Sequence, residues 1–228
     1  MRKCSGVRGI ACLVAALMLL SGVAQAAMWV GPEVGGNIIN NIDVNFGGAT
    51  FHKVRVDSSA IGGVTVGYDF VNTGFLAYDW PAWMKYFHVV ADFTYNPMNV
   101  RGQTVSAHIG GVATNASLPR MEGYMAALAF GVLGSYGFFN GRVNPYVGGG
   151  PAILFSGLDS GQLGLGASSS ADAALWAEAG IRWAAFKNIT IDTSYRFRWA
   201  RPTYNFNGTG LGFTGYSHSF LARVNYHF

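Results

Sequence analysis

The sequence predicts an all-β fold, an eight-stranded antiparallel up-and-down transmembrane β-barrel. Only 11% of the residues are charged and 14% are aromatic, whereas soluble domains carry about 25% charged residues. Apolar and polar residues alternate with a period of two in several segments, which is typical of strands with one apolar face. Because only helices and closed barrels satisfy the backbone in lipid, this alternation favours a barrel.

The alternation is clearest over residues 87–96, 189–199 and 219–228. Counted along the whole chain, the expected strands are 28–39, 58–71, 84–97, 120–136, 143–157, 172–186, 189–202 and 216–228. Tight turns alternate with long connections rich in Gly, Ser, Asn and Thr, at 40–57, 98–119, 158–171 and 203–215. In bacterial barrels the long loops face outwards and the short turns face the periplasm.

Three segments fit this pattern less directly. Gly123–Phe139 has no charge and could be a short transmembrane helix, although its glycines favour a strand. Asp172–Phe186 is rich in alanine, a good helix former, yet only two residues separate it from the next clear strand. The connection 72–83 is long on the periplasmic side, and its Tyr and Trp residues would suit the headgroup level of a membrane.

Residues 1–26 are expected to be a cleaved signal peptide, which leaves residues 27–228 as the barrel domain. A basic start precedes the apolar run Ile10–Leu20, and small residues end the segment at Ala24-Gln25-Ala26. Eleven apolar residues make about 16 Å of helix, which is about half of the hydrocarbon core, so we do not expect a membrane anchor.

Loss of the signal peptide would change the charge and the thiol content. Both cysteines, Cys4 and Cys12, would leave with it, so no disulfide and no cysteine chemistry is expected. The formal net charge would fall from +4 to +1 with loss of the three cations Arg2, Lys3 and Arg8. The remaining charges are sparse and mixed in sign, which argues against a nucleic-acid partner.

Charged residues are concentrated at positions predicted to face the barrel interior. An eight-stranded barrel is only wide enough for side chains to fill, and buried charges destabilise unless they are paired. We therefore predict a lumenal ion-pair network that plugs the barrel, with Glu178 and Arg182 on one face of the sixth strand. The alternative is a gated pore or a proton path. The predicted network residues are Glu33, Asp69, His88, Asp92, Glu178, Arg182, Asp192, Arg196, Arg198 and Arg223.

Three stretches resemble a known family: GGVTVGYDF (62–70), NPYVGGGPAILFS (144–156) and LARVNYHF (221–228). They resemble the small outer-membrane barrels that include the opacity proteins and the barrel domain of outer membrane protein A. Tyr226 and Phe228 resemble the terminal signal read by the barrel assembly machinery, although Arg223 stands where the family often has glycine. The resemblance implies a barrel in the outer membrane of a Gram-negative bacterium, in contact with its lipids and without catalysis.

Hydrolysis is the enzymatic alternative, because some small outer-membrane barrels use a Ser/His pair. On one strand such a pair must be two residues apart to share a face. Only Ser106 and His108 fit, in a predicted loop, whereas His88, His218 and His227 have no serine at that spacing.

No metal or other cofactor is expected. His52, Asp43 and Asp57 could meet in the first long loop, but their spacing matches no ligand pattern. Aromatic residues near strand ends fit girdles at the membrane interface, namely Trp29, Trp183, Trp199 and Tyr204.

The sequence thus predicts an outer-membrane barrel with a structural and surface-interaction role, a plugged lumen and four extracellular loops. A surface ligand bound by these loops would be its partner. The alternatives are a narrow channel for small solutes and a hydrolase that modifies lipid A.

Overall fold

The computed structural model describes residues 28–70, 79–159 and 166–228. The predicted signal peptide lies outside the described residues, as does Tyr78 of the long periplasmic connection. The strands, numbered in chain order, are β1 Met28–Ile39, β2 Ile42–Phe46, β3 Ala49–Val54, β4 Ser59–Asp69, β5 Phe87–Val100, β6 Gln103–Ile109, β7 Val112–Leu118, β8 Met121–Ser135, β9 Val143–Asp159, β10 Ala167–Phe186, β11 Ile189–Ala200, β12 Thr203–Phe206, β13 Thr209–Phe213 and β14 Gly215–His227.

Eight of these strands close into the predicted antiparallel barrel, in the order β1-β14-β11-β10-β9-β8-β5-β4. The first and last barrel strands meet, with Glu33 of β1 opposite Arg223 of β14. Closure leaves no sheet edge in the barrel, so its backbone groups find partners without water. The prediction of an eight-stranded up-and-down barrel is confirmed.

The two segments that could have been helices, 123–139 and 172–186, contribute to strands. Residues 121–135 form β8, and the alanine-rich segment forms the larger part of β10. β10 pairs with β9 along one edge and with β11 along the other. Two complete hydrogen-bonded ladders outweigh the weak helical preference of alanine, which is at most about 1 kcal/mol per residue. Among the described residues no helix is long and apolar enough to cross a membrane.

Three of the predicted extracellular loops are β-hairpins. Their strands join edge to edge in a six-stranded sheet of order β12-β13-β2-β3-β6-β7, which we call the hairpin sheet. Each hairpin turns through two residues with positive φ, at Gly47-Gly48, Gly110-Gly111 and Asn207-Gly208. Such turns match the twist of paired strands and favour glycine and asparagine. The strands within these three long connections were not predicted from the sequence.

The outer face of the barrel is apolar. Successive strands expose large hydrophobic side chains, among them Val34, Val64, Phe93, Phe130 and Ile153. At the periplasmic end a short 3₁₀ helix, Ala82–Tyr86, exposes Trp83. An apolar band of this kind with aromatic residues near its rim is what a lipid-facing barrel wall requires.

The inner face of the barrel is apolar at the extracellular end and polar over the rest of its length. At the extracellular end, the barrel strands and the underside of the hairpin sheet bury a shared hydrophobic cluster, the apolar cap. Its members include Ile39, Ile42, Val54, Met98, Met125, Leu154, Tyr204, Phe206 and Leu211. The hairpin sheet is therefore packed onto the barrel rather than projecting freely from it.

Two residues predicted for the membrane girdle lie inside instead. Trp29 is completely buried and donates from Nε1 to Asp69 Oδ1 at 2.8 Å. Tyr204 is buried in the apolar cap and donates its hydroxyl to Ser156 at 2.8 Å. A glycine on the neighbouring strand, Gly67, makes room for the Trp29 indole, because a Cβ there would overlap the ring.

Candidate functional site

The centre of the lumen is organised around the guanidinium of Arg196 on β11. Its Nη1 lies 2.8 Å from Asp92 Oδ1 and its Nε lies 2.7 Å from Glu178 Oε2. A third carboxylate, on Glu33, is 3.4 Å from Nη1. These carboxylates come from β5, β10 and β1, so one side chain links strands on opposite walls of the barrel.

Arg223 on β14 makes the second junction. Its Nη2 contacts Glu33 Oε2 at 2.7 Å and Glu178 Oε1 at 3.3 Å, and its Nη1 lies 3.4 Å from Asp192 Oδ2. Arg182 contacts the same Asp192 from Nε at 3.2 Å. Glu33 and Glu178 thus touch both Arg196 and Arg223, which makes the ion pairs one connected cluster.

Neutral side chains complete the hydrogen bonding of this cluster. Thr65 donates to Asp92 at 2.7 Å, and Tyr146 donates its hydroxyl to Glu178 at 3.0 Å. The indole of Trp176 lies 5.3 Å from the Arg196 guanidinium, within range of a cation–π contact. These donors give the buried carboxylates the partners without which they would destabilise the barrel.

One residue of the predicted network stands apart. Arg198 is buried beneath the apolar cap and donates from Nη2 to Thr94 Oγ1 at 3.0 Å. No carboxylate lies within ion-pair distance of it among the residues that the structure describes. Its Nε is buried there without a hydrogen-bond partner. Arg198 therefore shares the lumen with the cluster without taking part in its ion pairs.

The periplasmic mouth holds a second polar group, formed by Asp69, His88 and Ser135. Asp69 of β4 lies directly opposite His88 of β5, and its Oδ1 is 2.7 Å from His88 Nδ1. The other ring nitrogen, Nε2, is 2.5 Å from Ser135 Oγ at the end of β8. These residues line a cavity of about 680 Å³ at the barrel mouth. His227 lines the same cavity, and its Nδ1 lies 3.8 Å from Asp69 Oδ2.

The Ser/His pair considered for the hydrolase alternative lies on β6, in the second extracellular hairpin. Ser106 and His108 share the exposed face of β6, and no hydrogen bond joins them in the described structure. The ring of His108 instead packs edge-on against His52, with 5.3 Å between ring centroids.

The residues weighed as metal ligands are also divided. Asp43 contacts His52 at 3.3 Å and accepts a hydrogen bond from the Lys53 amide at 2.9 Å, which lowers the pKa of Asp43. Asp57 is paired with Arg101 instead. Within 28–70, 79–159 and 166–228 no group of three His, Cys, Asp or Glu residues could hold a metal ion.

Sequence reasoning missed the partners that come from neighbouring strands. Ser135 lies two residues beyond Leu133, the residue opposite His88, so their meeting depends on the β5–β8 register. Tyr146 and Thr65 were missed for the same reason. The terminal Tyr226 points outwards, pairing through its backbone with Val30 of β1, and its role in assembly stays a prediction.

No protein-family model and no curated protein matches this sequence. Solved structures do. The chain is similar to outer membrane protein OprG from Pseudomonas aeruginosa, with 15% identity, a TM-score of 0.52, and coverage of 90% of this chain and 98% of that one. Neisserial surface protein A gives 13% identity and a TM-score of 0.50, covering 88% of this chain and 97% of that one.

The outer membrane protease OmpT from Escherichia coli is also similar, at 9% identity and a TM-score of 0.51, covering 88% of this chain and 97% of that one. At such low identity these structures share only the fold with this chain. That fold is the outer-membrane β-barrel, and it agrees with the closed strand order and the apolar outer face.

Loss of Arg196 is expected to destabilise the barrel far more than loss of Arg198. Arg196→Met leaves Glu33, Asp92 and Glu178 without their shared cation, and breaking a buried ion pair in this way costs about 3–5 kcal/mol. Arg198→Met removes a buried cation that has no carboxylate partner among the described residues, so we expect a loss below about 1 kcal/mol or a gain in stability. Urea unfolding of the refolded proteins in lipid vesicles would measure both. Equal losses of stability would contradict the pairing described here.

Proposed function

We propose that this protein is a non-conducting outer-membrane barrel that holds a rigid β-sheet outside the cell for contact with surface ligands. One observation supports the proposal: buried side chains of the ion-pair cluster and of the apolar cap follow one another along the lumen, up to the hairpin sheet. One cavity in the apolar cap has about 20 Å³, which is room for about one water molecule, since a water needs about 10–15 Å³. A continuous water path through that end of the barrel would have to displace packed side chains.

The ion-pair cluster opposes opening from within. A pore along the barrel axis would need Arg196 and Arg223 to leave their carboxylates, which are buried together. Separating such charges without new partners costs several kcal/mol per ion. These contacts favour a plug over the alternative of a narrow solute channel.

The hairpin sheet supplies the proposed contact surface. A polar cleft of about 790 Å³ is lined by the end of β3, by the segment that leads from β3 into β4, and by the start of β6. Its cations Lys53, Arg55 and Arg101 outnumber its one carboxylate, Asp57. This excess of positive charge favours a ligand with acidic groups, by complementary charge. Outer-membrane lipids would surround the barrel below, and Tyr226 with Phe228 would serve its assembly.

The proposed plug predicts that the protein does not conduct ions. Protein inserted into planar bilayers should show no sustained channel openings at moderate voltage, because the cluster and the apolar cap block ions. Insertion itself should be verified on the same preparation by the mobility shift between unboiled and boiled samples on a gel. Frequent, reproducible open levels from folded protein would favour the channel instead.

The orientation can be tested with single cysteines, because both native cysteines lie in the predicted signal peptide. Val112→Cys, next to an exposed turn of the hairpin sheet, should react with a membrane-impermeant maleimide on intact cells. Phe139→Cys, in the exposed β8–β9 turn, should react only after the cells are opened. The unsubstituted protein gives the background. Labelling of Phe139→Cys alone on intact cells would reverse the proposed orientation.

A further inference from the structure

We propose that Ser135, His88 and Asp69 form a serine hydrolase site at the periplasmic mouth, acting on acyl esters of phospholipids in the adjoining leaflet. The inference does not rest on the surface role proposed above. It concerns the opposite end of the barrel, below the ion-pair cluster.

The three side chains have the geometry of a nucleophile, a base and an orienting carboxylate. With the proton on Nδ1 donated to Asp69 at 2.7 Å, His88 Nε2 is the acceptor for the Ser135 hydroxyl at 2.5 Å. This sequence of hydrogen bonds is what activates a serine hydroxyl, and it is recognised by geometry rather than by chain order. The three residues come from β4, β5 and β8, three consecutive strands of the barrel wall.

The base is held rigidly while the nucleophile remains accessible. His88 is buried, and its partner Asp69 also accepts a hydrogen bond from Trp29 Nε1 at 2.8 Å. Ser135 is only half-buried and lines the mouth cavity of about 680 Å³. A serine whose only role was to hydrogen-bond to His88 would not need to face a cavity of this size.

Cations for a developing oxyanion and for a lipid phosphate line the same cavity. Arg182 is 6% exposed, and its buried Nη2 has no hydrogen-bond partner among the described residues. Its Nη1 lies 3.6 Å from Asp69 Oδ1. Lys85, from the short 3₁₀ helix at the rim, also lines this cavity. Positive charge placed near the reacting carbonyl stabilises the charge that forms in acyl transfer.

The substrate class follows from a second groove on the outside of the barrel. This groove, of about 720 Å³, has apolar walls that include Phe87, Tyr136 and Val147, all exposed on the lipid-facing side. Ser135 lines both the groove and the mouth cavity. A molecule with an acyl chain in the groove and a phosphate in the cavity would therefore place its ester near Ser135 Oγ, which describes a phospholipid of the periplasmic leaflet.

The reaction is an ordinary ester hydrolysis. His88 Nε2 takes the proton of Ser135 Oγ as that oxygen bonds to the ester carbonyl carbon, and the carbonyl oxygen becomes an oxyanion. The intermediate collapses by breaking the bond to the alcohol oxygen, which receives the proton from His88. Water, deprotonated by His88, then attacks the acyl-serine. Cleavage of the Oγ–C bond frees the fatty acid, and His88 returns the proton to Ser135 Oγ. Asp69 is a positioning residue that fixes the His88 tautomer.

The test uses the full-length folded protein and vesicles of phosphatidylethanolamine and phosphatidylglycerol, with free fatty acid measured by mass spectrometry. Unsubstituted protein should release fatty acid, and Ser135→Ala should reduce the rate at least 100-fold. Ser219→Ala is the matched control, since Ser219 is a buried lumenal serine that donates to Asn37 at 2.9 Å. Its rate should be unchanged. Asp69→Asn should lower kcat with little change in KM, which a purely structural role would not produce.

Reaction with a fluorophosphonate gives a readout that needs no variant to fold. The unsubstituted protein should be labelled, and the modified peptide should contain Ser135. Heat-dependent gel mobility would establish that every protein compared is folded. No fatty acid release by folded protein, equal release by folded Ser135→Ala, or no label on Ser135 would each overturn the proposal.

Discussion

The structure depends on how a closed eight-stranded barrel accommodates charge in an interior too narrow for bulk water. Arg196 and Arg223 share Glu33 and Glu178, and through Asp92 and Asp192 the cluster links five strands of the wall. Each charge is tolerable only because its partners are present, since an unpaired buried ion is strongly destabilising. The cluster therefore constrains the register of the strands that carry it.

The two ends of the barrel differ in ways that suit different tasks. On the extracellular side, the apolar cap joins the barrel to the hairpin sheet. On the periplasmic side, the lumen opens into a polar cavity where Asp69, His88 and Ser135 meet. The ion-pair cluster lies between these two ends. The proposed surface role at the extracellular end and the proposed lipid hydrolysis at the periplasmic end therefore use different residues.

The sequence predicts the barrel well because lipid and lumen impose opposite polarity on successive residues. β1 has the bounds expected from the alternation, and the inward charges could be chosen from it. Which charges pair depends on register between strands, as with Ser135 and His88, and period two alone does not contain that information. The hairpin sheet is a different case: Gly47-Gly48, Gly110-Gly111 and Asn207-Gly208 are strong turn signals that could have predicted it. Trp29 was misplaced because aromatic residues at strand ends suit the girdle and the lumen mouth equally.

The claim that the ion pairs in the lumen are energetically coupled is tested most directly by a double-mutant cycle between Asp92 and Arg196, whose side chains meet at 2.8 Å. Urea unfolding would be measured for Asp92→Asn, Arg196→Gln and the double variant. The account predicts that the double variant loses at least about 1 kcal/mol less than the two single losses combined, within the range usual for contacting residues. Losses that simply add, to within about 0.5 kcal/mol, would show that the pair is not coupled and would contradict the account.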